Sequence, residues 1–400
     1  MKNPTDRRRG ARSHSGVGTL PVTTGQRGRP VVRLLAIAGA MCAASASAGT
    51  STDTLAGTSA NASAIASADA AAPTTSAGSQ GCGAAAPKSG VYTITHGGIT
   101  RTYGISVPPG YDRNHPARLV LVFHGWGGNE TEFLGDPAVI AESNRRGYVL
   151  VAPRGIGSGD PDRANNSWTF RGSTTGLVAD GTAILPVCDA SITPDYSYAS
   201  CRSGTARNTC SWTQCQDDDV DFVAALLERV EADLCIDTQQ VYAAGGSNGG
   251  MFTWELGRDP RTAPLLRGIA PIIGLPHRGD LRPPGRPGGM PVLLITGLKD
   301  PVVPPGKWDD PSPTTTSNDS DRFYYTGATA IVRVWSQAEG CPVGPAEKPF
   351  DTGVPGAECR TYCAAANGAW PRVLDCRAPM GHDYQTGWSW RLVLDFFDRL

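Results

Sequence analysis

Short apolar runs punctuate the chain. RLVLVFHG (118–125), YVLVAPRG (148–155), RGIAPIIG (267–274) and PVLLITG (291–297) are nearly continuous and end in glycine. Such runs suit strands buried on both faces of a parallel sheet. Between the second and third lies DVDFVAALLERVEADL, where Val223, Leu226, Leu227, Val230 and Leu234 fall at helical spacing. This predicts a helix over Asp219–Leu234, with acidic residues at the positive end of its dipole. Further helices are expected at MFTWELGRD (251–259), Ala328–Ala338 and Trp388–Leu400, and a hairpin around His96-Gly97-Gly98. Strands alternating with helices imply an α/β domain with helices on both faces of the sheet.

Two segments depart from this rhythm. Residues 49–80 hold Ala, Ser, Thr and Gly with few large apolar side chains, so they are expected to be a disordered leader, and the folded domain to span 81–400. Residues 155–216 are rich in Gly, Ser, Asp and Cys, and too long for an ordinary connection. Four cysteines there (Cys188, Cys201, Cys210, Cys215) predict a disulfide-stapled insertion.

Charge changes the picture at the start of the chain. The first 33 residues carry eight Lys or Arg and a single acid, Asp6; the Ala-rich run Leu34–Ala48 follows. A basic start, a short apolar stretch and an Ala-Ser-Ala end predict a secretory signal over 1–48. That stretch is shorter than the roughly 20 residues of a membrane span, so no stable membrane insertion is expected. Without residues 1–48 the net charge moves from −1 to −8, which argues against a nucleic-acid partner. Ten of the 11 cysteines lie beyond the signal, an even number that suggests five disulfides in an oxidising compartment, extracellular or periplasmic. CSWTQC (210–215) and CRTYC (359–363) come nearest to zinc spacing, but no second Cys or His pair completes either, so neither metal nor cofactor is expected.

The chemistry centres on VYAAGGSNGGM (241–251), which contains G-x-S-x-G over Gly245–Gly249. Alone, this also reads as a plain Gly/Ser turn. Its setting, an apolar run before and a helix after, is that of a serine nucleophile on a strand-to-helix elbow. A serine hydroxyl needs a base, a carboxylate to orient it, and donors for the oxyanion. Asp300 follows the PVLLITG run, and His382 precedes the last helix, giving the order Ser247, Asp300, His382. His277 is the rival base, and Asp383 reads as a surface charge. The backbone amides of Asn248 and Trp126 are the expected oxyanion donors, with the Asn248 side chain incidental and His124 supporting the Trp126 loop. Trp126, Trp168, Trp212, Trp254, Trp388 and Trp390 are candidates for an aromatic platform.

VFHGWGGN (122–129), the segment 218–256, ITGLKDPVVP (295–304) and MGHDY (380–384) together resemble secreted esterases of the poly(3-hydroxybutyrate) depolymerase and feruloyl esterase group, near carbohydrate esterase family one. The resemblance covers Cys82–Leu400. It implies an α/β-hydrolase fold, a Ser247/Asp300/His382 triad without metal, an ester substrate and a Cys82–Cys235 bridge. The same fold also supports serine peptidases and acetylxylan esterases, or a non-catalytic binding protein if a triad member were missing.

Overall fold

The apolar runs become neighbouring strands. The computed structural model describes residues 78–159, 165–181, 183–201, 210–310, 312–341, 348–362 and 370–400. The expected signal 1–48 and the leader up to residue 77 lie outside them. In chain order the elements are β1 (Gly90–His96), β2 (Ile99–Ser106), β3 (Ala117–Phe123), α1 (Thr131–Leu134), α2 (Pro137–Arg146), β4 (Tyr148–Pro153), β5 (Leu177–Asp180) and β6 (Ala183–Pro186). There follow α3 (Asp219–Asp233), β7 (Ile236–Gly246), α4 (Asn248–Arg258), β8 (Gly268–Ile272), β9 (Val292–Gly297), β10 (Thr314–Thr316) and β11 (Tyr324–Thr326). The chain closes with α5 (Ala328–Ala338), β12 (Lys348–Phe350), β13 (Glu358–Thr361), β14 (Val373–Ala378) and α6 (Thr386–Phe397).

Ten strands form one sheet in the order β1-β2-β4-β3-β7-β8-β9-β14-β13-β12. The run from β4 to β14 is parallel, and an antiparallel pair finishes each edge. Alternation along β3 splits the core in two. Leu119, Leu121 and Phe123 pack with α3, α4 and α5, whereas Val120 and Val122 pack with α2 and α6. This is the α/β-hydrolase fold.

The order also locates the site. The chain passes from β3 to β4 on one side and returns to β7 on the other, so β3 and β7 flank a switch point, with Phe123 opposite Gly245. Ligands of open α/β sheets bind at the carboxyl ends of strands at such a point.

The leader ends earlier than expected. Gly78 bridges to Asp237, and the Ser79 amide donates to the Ile236 carbonyl at 2.9 Å, so residues 78–80 belong to the folded body. A disulfide between Cys82 and Cys235 fastens the same corner. The insertion is stapled by Cys188–Cys210 and Cys201–Cys215, and Cys359–Cys376 joins β13 to β14. Cys341 is also disulfide-bonded; Cys363 lies outside the described residues. No helix among the described residues is long and apolar enough to cross a membrane.

Candidate active site

β7 enters the turn at Gly245, and Ser247 sits there with φ 52° and ψ −117°, a backbone conformation that strains any L-residue. The turn lifts the side chain clear of the sheet, as a strand-to-helix elbow does. The glycines are required by close approach. A Cβ on Gly249 would lie 2.2 Å from the Phe123 carbonyl oxygen, and one on Gly245 would lie 2.5 Å from that of Gly249.

The loops after β9 and β14 bring the two distant partners together. His382 Nε2 lies 2.8 Å from Ser247 Oγ, and its Nδ1 lies 2.7 Å from Asp300 Oδ2. The Asp300 carboxylate is shut from solvent, and its Oδ1 accepts the Val302 and Val303 amides at 2.8 and 2.9 Å. It is therefore aimed before any substrate arrives. Asp383 is exposed and accepts the Gln385 amide in a turn, away from this array.

His277 has no place in it. The ring is fully buried, with Nδ1 3.2 Å from the Tyr324 carbonyl and Nε2 accepting the Trp212 indole N–H at 2.9 Å. Burial pushes its pKa down to about 4. His124 is likewise buried, and lowered to about 4 by that burial. Its Nε2 accepts the Gly155 amide at 2.9 Å and its Nδ1 meets the Gly125 carbonyl at 2.7 Å. It braces the loop after β3, as expected.

That loop carries the amide of Trp126. Around it, the Gly125 amide donates to Glu132 Oε1 at 2.9 Å, the Gly127 amide to Asn166 and the Gly128 amide to Gly125. Asn248 opens α4, where first-turn amides point outward without helical partners. Its side chain, expected to be incidental, is a clamp. Oδ1 accepts the Trp168 amide at 2.8 Å and Nδ2 donates to the Trp168 carbonyl at 3.0 Å, tying the elbow to the insertion.

Two further residues were given no role from the sequence, although Tyr384 closes the MGHDY motif. Glu132 sits on α1, and Tyr384 lies two residues past His382; the Tyr384 phenol is hydrogen-bonded to the Glu132 carboxylate. Burial and then Glu132 push that phenol well above its ordinary range. Tyr384 stacks on Phe133 and covers the glycines beneath it, since a Cβ on Gly125 or Gly246 would lie 2.3 Å from its atoms. The pair thus joins the His382 loop to the Trp126 loop.

Ser247 opens into an apolar cavity of about 140 Å³ walled by Trp126, Trp212, Tyr196, Phe323 and Tyr325. The expected platform of tryptophans is only partly realised there. Trp168, Trp254 and Trp390 are fully buried packing residues instead. At the polar end, the Tyr196 hydroxyl donates to Asp321 Oδ1 at 2.7 Å. Insertion residues therefore form part of the cavity wall.

No family model matches the chain. Curated relatives do. A probable feruloyl esterase C from Aspergillus niger is 26% identical over 237 residues, covering 57% of this chain and 64% of the relative. Feruloyl esterase C of Emericella nidulans is 25% identical over 240 residues, covering 58% and 66%. The chain is similar in sequence to feruloyl esterases. The resemblance read from its motifs holds, although the chain spans just under two thirds of the length of these relatives. Among solved structures, an acetyl xylan esterase from Aspergillus awamori is similar with a TM-score of 0.48 and 13% identity, over 78% of this chain and 100% of that one.

Proposed function

We propose that the chain is an exported serine esterase that cleaves carboxylic esters of aromatic acids through an acyl-enzyme. The observation that carries this reading is the unbroken hydrogen-bonded line Asp300–His382–Ser247, ending at an aromatic cavity. Ser247 Oγ attacks the ester carbonyl carbon and its proton passes to His382 Nε2. Asp300 holds the imidazole in the tautomer that accepts there and offsets the charge of the imidazolium. The Trp126 and Asn248 amides receive the oxyanion. His382 then protonates the leaving alcohol, and water repeats the sequence on the acyl-enzyme, releasing the acid and restoring Ser247.

The acyl group lies against Trp126, Trp212 and Phe323. Flat rings offer such walls more contact than an acetyl or a hydroxybutyryl group does, and aromatic pairs contribute beyond their buried area. The feruloyl esterases among the relatives point to the same substrate class. Export is supported by the disulfides, which persist in oxidising compartments.

A fluorophosphonate probe on the full chain is expected to label Ser247, and Ser247→Ala to abolish both labelling and hydrolysis. Hydrolysis retained by Ser247→Ala would overturn the mechanism. A panel of methyl ferulate, acetylated xylan and hydroxybutyrate oligomers tests the acyl class. Faster turnover of either of the last two would replace the aromatic reading.

A further inference from the structure

His277 is a buried imidazole that the proposed chemistry does not use, yet it stands directly behind the acyl cavity. Its ring lies within a stack, 5.0 Å from Phe170 and 5.5 Å from Tyr325, with interplanar angles of 24° and 8°. A nitrogen buried this way is costly unless hydrogen-bonded. Nδ1 faces the Tyr324 carbonyl, which fixes the proton on that nitrogen and leaves Nε2 as an acceptor. Among the described residues, the donor it meets is the Trp212 indole N–H.

Trp212 in turn carries the neighbouring wall. Its carbonyl accepts the Trp126 indole N–H at 3.2 Å, and both indoles line the cavity at Ser247. Trp212 comes from the insertion, two residues past Cys210, whereas His277 comes from the loop after β8. The His277–Trp212 hydrogen bond therefore links the insertion to the hydrolase frame at the cavity wall. That hydrogen bond, with Phe170 and Phe323 packed against the indole, favours one orientation of the ring at the cavity wall.

We propose that His277 is a specificity-positioning residue: through the Trp212 indole it fixes the width of the acyl cavity and so sets the preference for flat, aromatic acyl groups over small ones. This rests on the ester-hydrolase reading of Ser247 given above. Unpinned, Trp212 turns into or away from the cavity. An aromatic acyl group loses its slot, while an acetyl group, which does not reach that wall, loses less.

The test compares kcat/KM for methyl ferulate and p-nitrophenyl acetate in the full chain, for wild type, His277→Phe, His277→Gln, Trp212→Phe and the His277→Phe/Trp212→Phe pair. Phe at 277 keeps the stack and removes the acceptor; Gln restores an acceptor. The ratio of ferulate to acetate activity is expected to fall about ten-fold in His277→Phe, mostly through KM, the scale of one lost hydrogen bond to a neutral partner. His277→Gln recovers part of it. Trp212→Phe shows the same fall, and the double variant adds little to either single change, the signature of one shared interaction. If His277→Phe does not fold, His277→Leu, which also lacks an acceptor, takes its place beside Trp212→Phe. An unchanged ratio in Trp212→Phe overturns the proposal. So does a parallel loss on both esters in His277→Phe, which would make His277 a general structural or catalytic group. A wild-type chain that the fluorophosphonate probe fails to label is a different result, and overturns the esterase reading instead.

Discussion

The loops after β8 and β14 each bring one histidine to the same edge of the sheet, and the two rings end in opposite surroundings. His382 is partly open to solvent, between a hydroxyl and a buried carboxylate. His277 is sealed among Phe170, Phe323 and Tyr325, between a carbonyl and an indole N–H. A base in catalysis must gain a proton and return it within each cycle. The first setting provides for this with an acidic neighbour that stabilises the imidazolium. The second opposes it, because burial holds the ring neutral. Residue type and place in the fold are shared, so partners alone separate the roles.

The sharpest way to break this contrast is to remove each ring in turn. His382→Ala is expected to lower kcat by a factor on the order of 10⁴ or more, as loss of a triad base does in serine hydrolases. It should also slow fluorophosphonate labelling of Ser247. His277→Ala is expected to keep far more of the labelling rate, with any loss tracking the melting temperature. Equal losses of labelling in the two variants would make the contrast meaningless.

A smaller effect is expected where the His382 loop meets the Trp126 loop. Glu132 accepts the Gly125 amide and is bonded to Tyr384, so it orients the peptide that precedes the Trp126 amide. Glu132→Ala is expected to reduce kcat about 10²-fold, the cost of a misplaced oxyanion donor, with little change in KM. Glu132→Gln keeps an acceptor oxygen and should regain most of that loss. A rise in KM with kcat intact would move Glu132 from oxyanion positioning to substrate binding.

How much of this was legible in the chain depends on range. The strand, elbow and helix around Ser247 are contiguous, and each local pattern agreed with the fold: β7, Ser247, then α4. Asp300 and His382 were legible from order, because Asp300 follows the PVLLITG run and His382 precedes the last helix. The strand before His382 was not. VLDCRA reads as polar at Asp375 and Arg377, yet both side chains are completely buried, paired at 2.8 Å, with Thr329 taking a further guanidinium N–H. The pattern of a buried strand was interrupted by charges that satisfy one another. α2 went unread although it is well capped, by Asp136 at its start and Gly147 at its end, because it buries few apolar residues. The cavity was invisible for another reason. Phe323 and Tyr325 meet Trp126 and Trp212 only through the tertiary fold.

The smallest effect concerns the buried histidines as a pair, His277 and His124. Each has a folded-state pKa of about 4, lowered by burial from 6.5. Between those values the unfolded chain takes up a proton at each site that the native chain refuses. Stability from each ring is therefore present above pH 6.5 and is lost as pH falls toward 4, about 3 kcal/mol per histidine in all. His96 works in the opposite sense. Burial lowers its pKa, but hydrogen bonds and charge from Asp217 and Asp221 outweigh this and raise it, so it gives back part of the loss. Carboxylates held low, such as Glu142 and Asp280 at about 2, begin to lose their contribution only as pH nears their ordinary values of 4.5 and 3.8, so they add to the loss at the acid end of this window alone. Urea midpoints measured from pH 7 to 4.5 separate His277 from the rest. The His277→Gln variant has no proton to gain, so its stability should fall by about 2 kcal/mol less than wild type over that range, whatever its stability at pH 7. Parallel curves would mean that the native chain protonates His277 as readily as the unfolded one, and a ring so charged has no lone pair with which to hold Trp212.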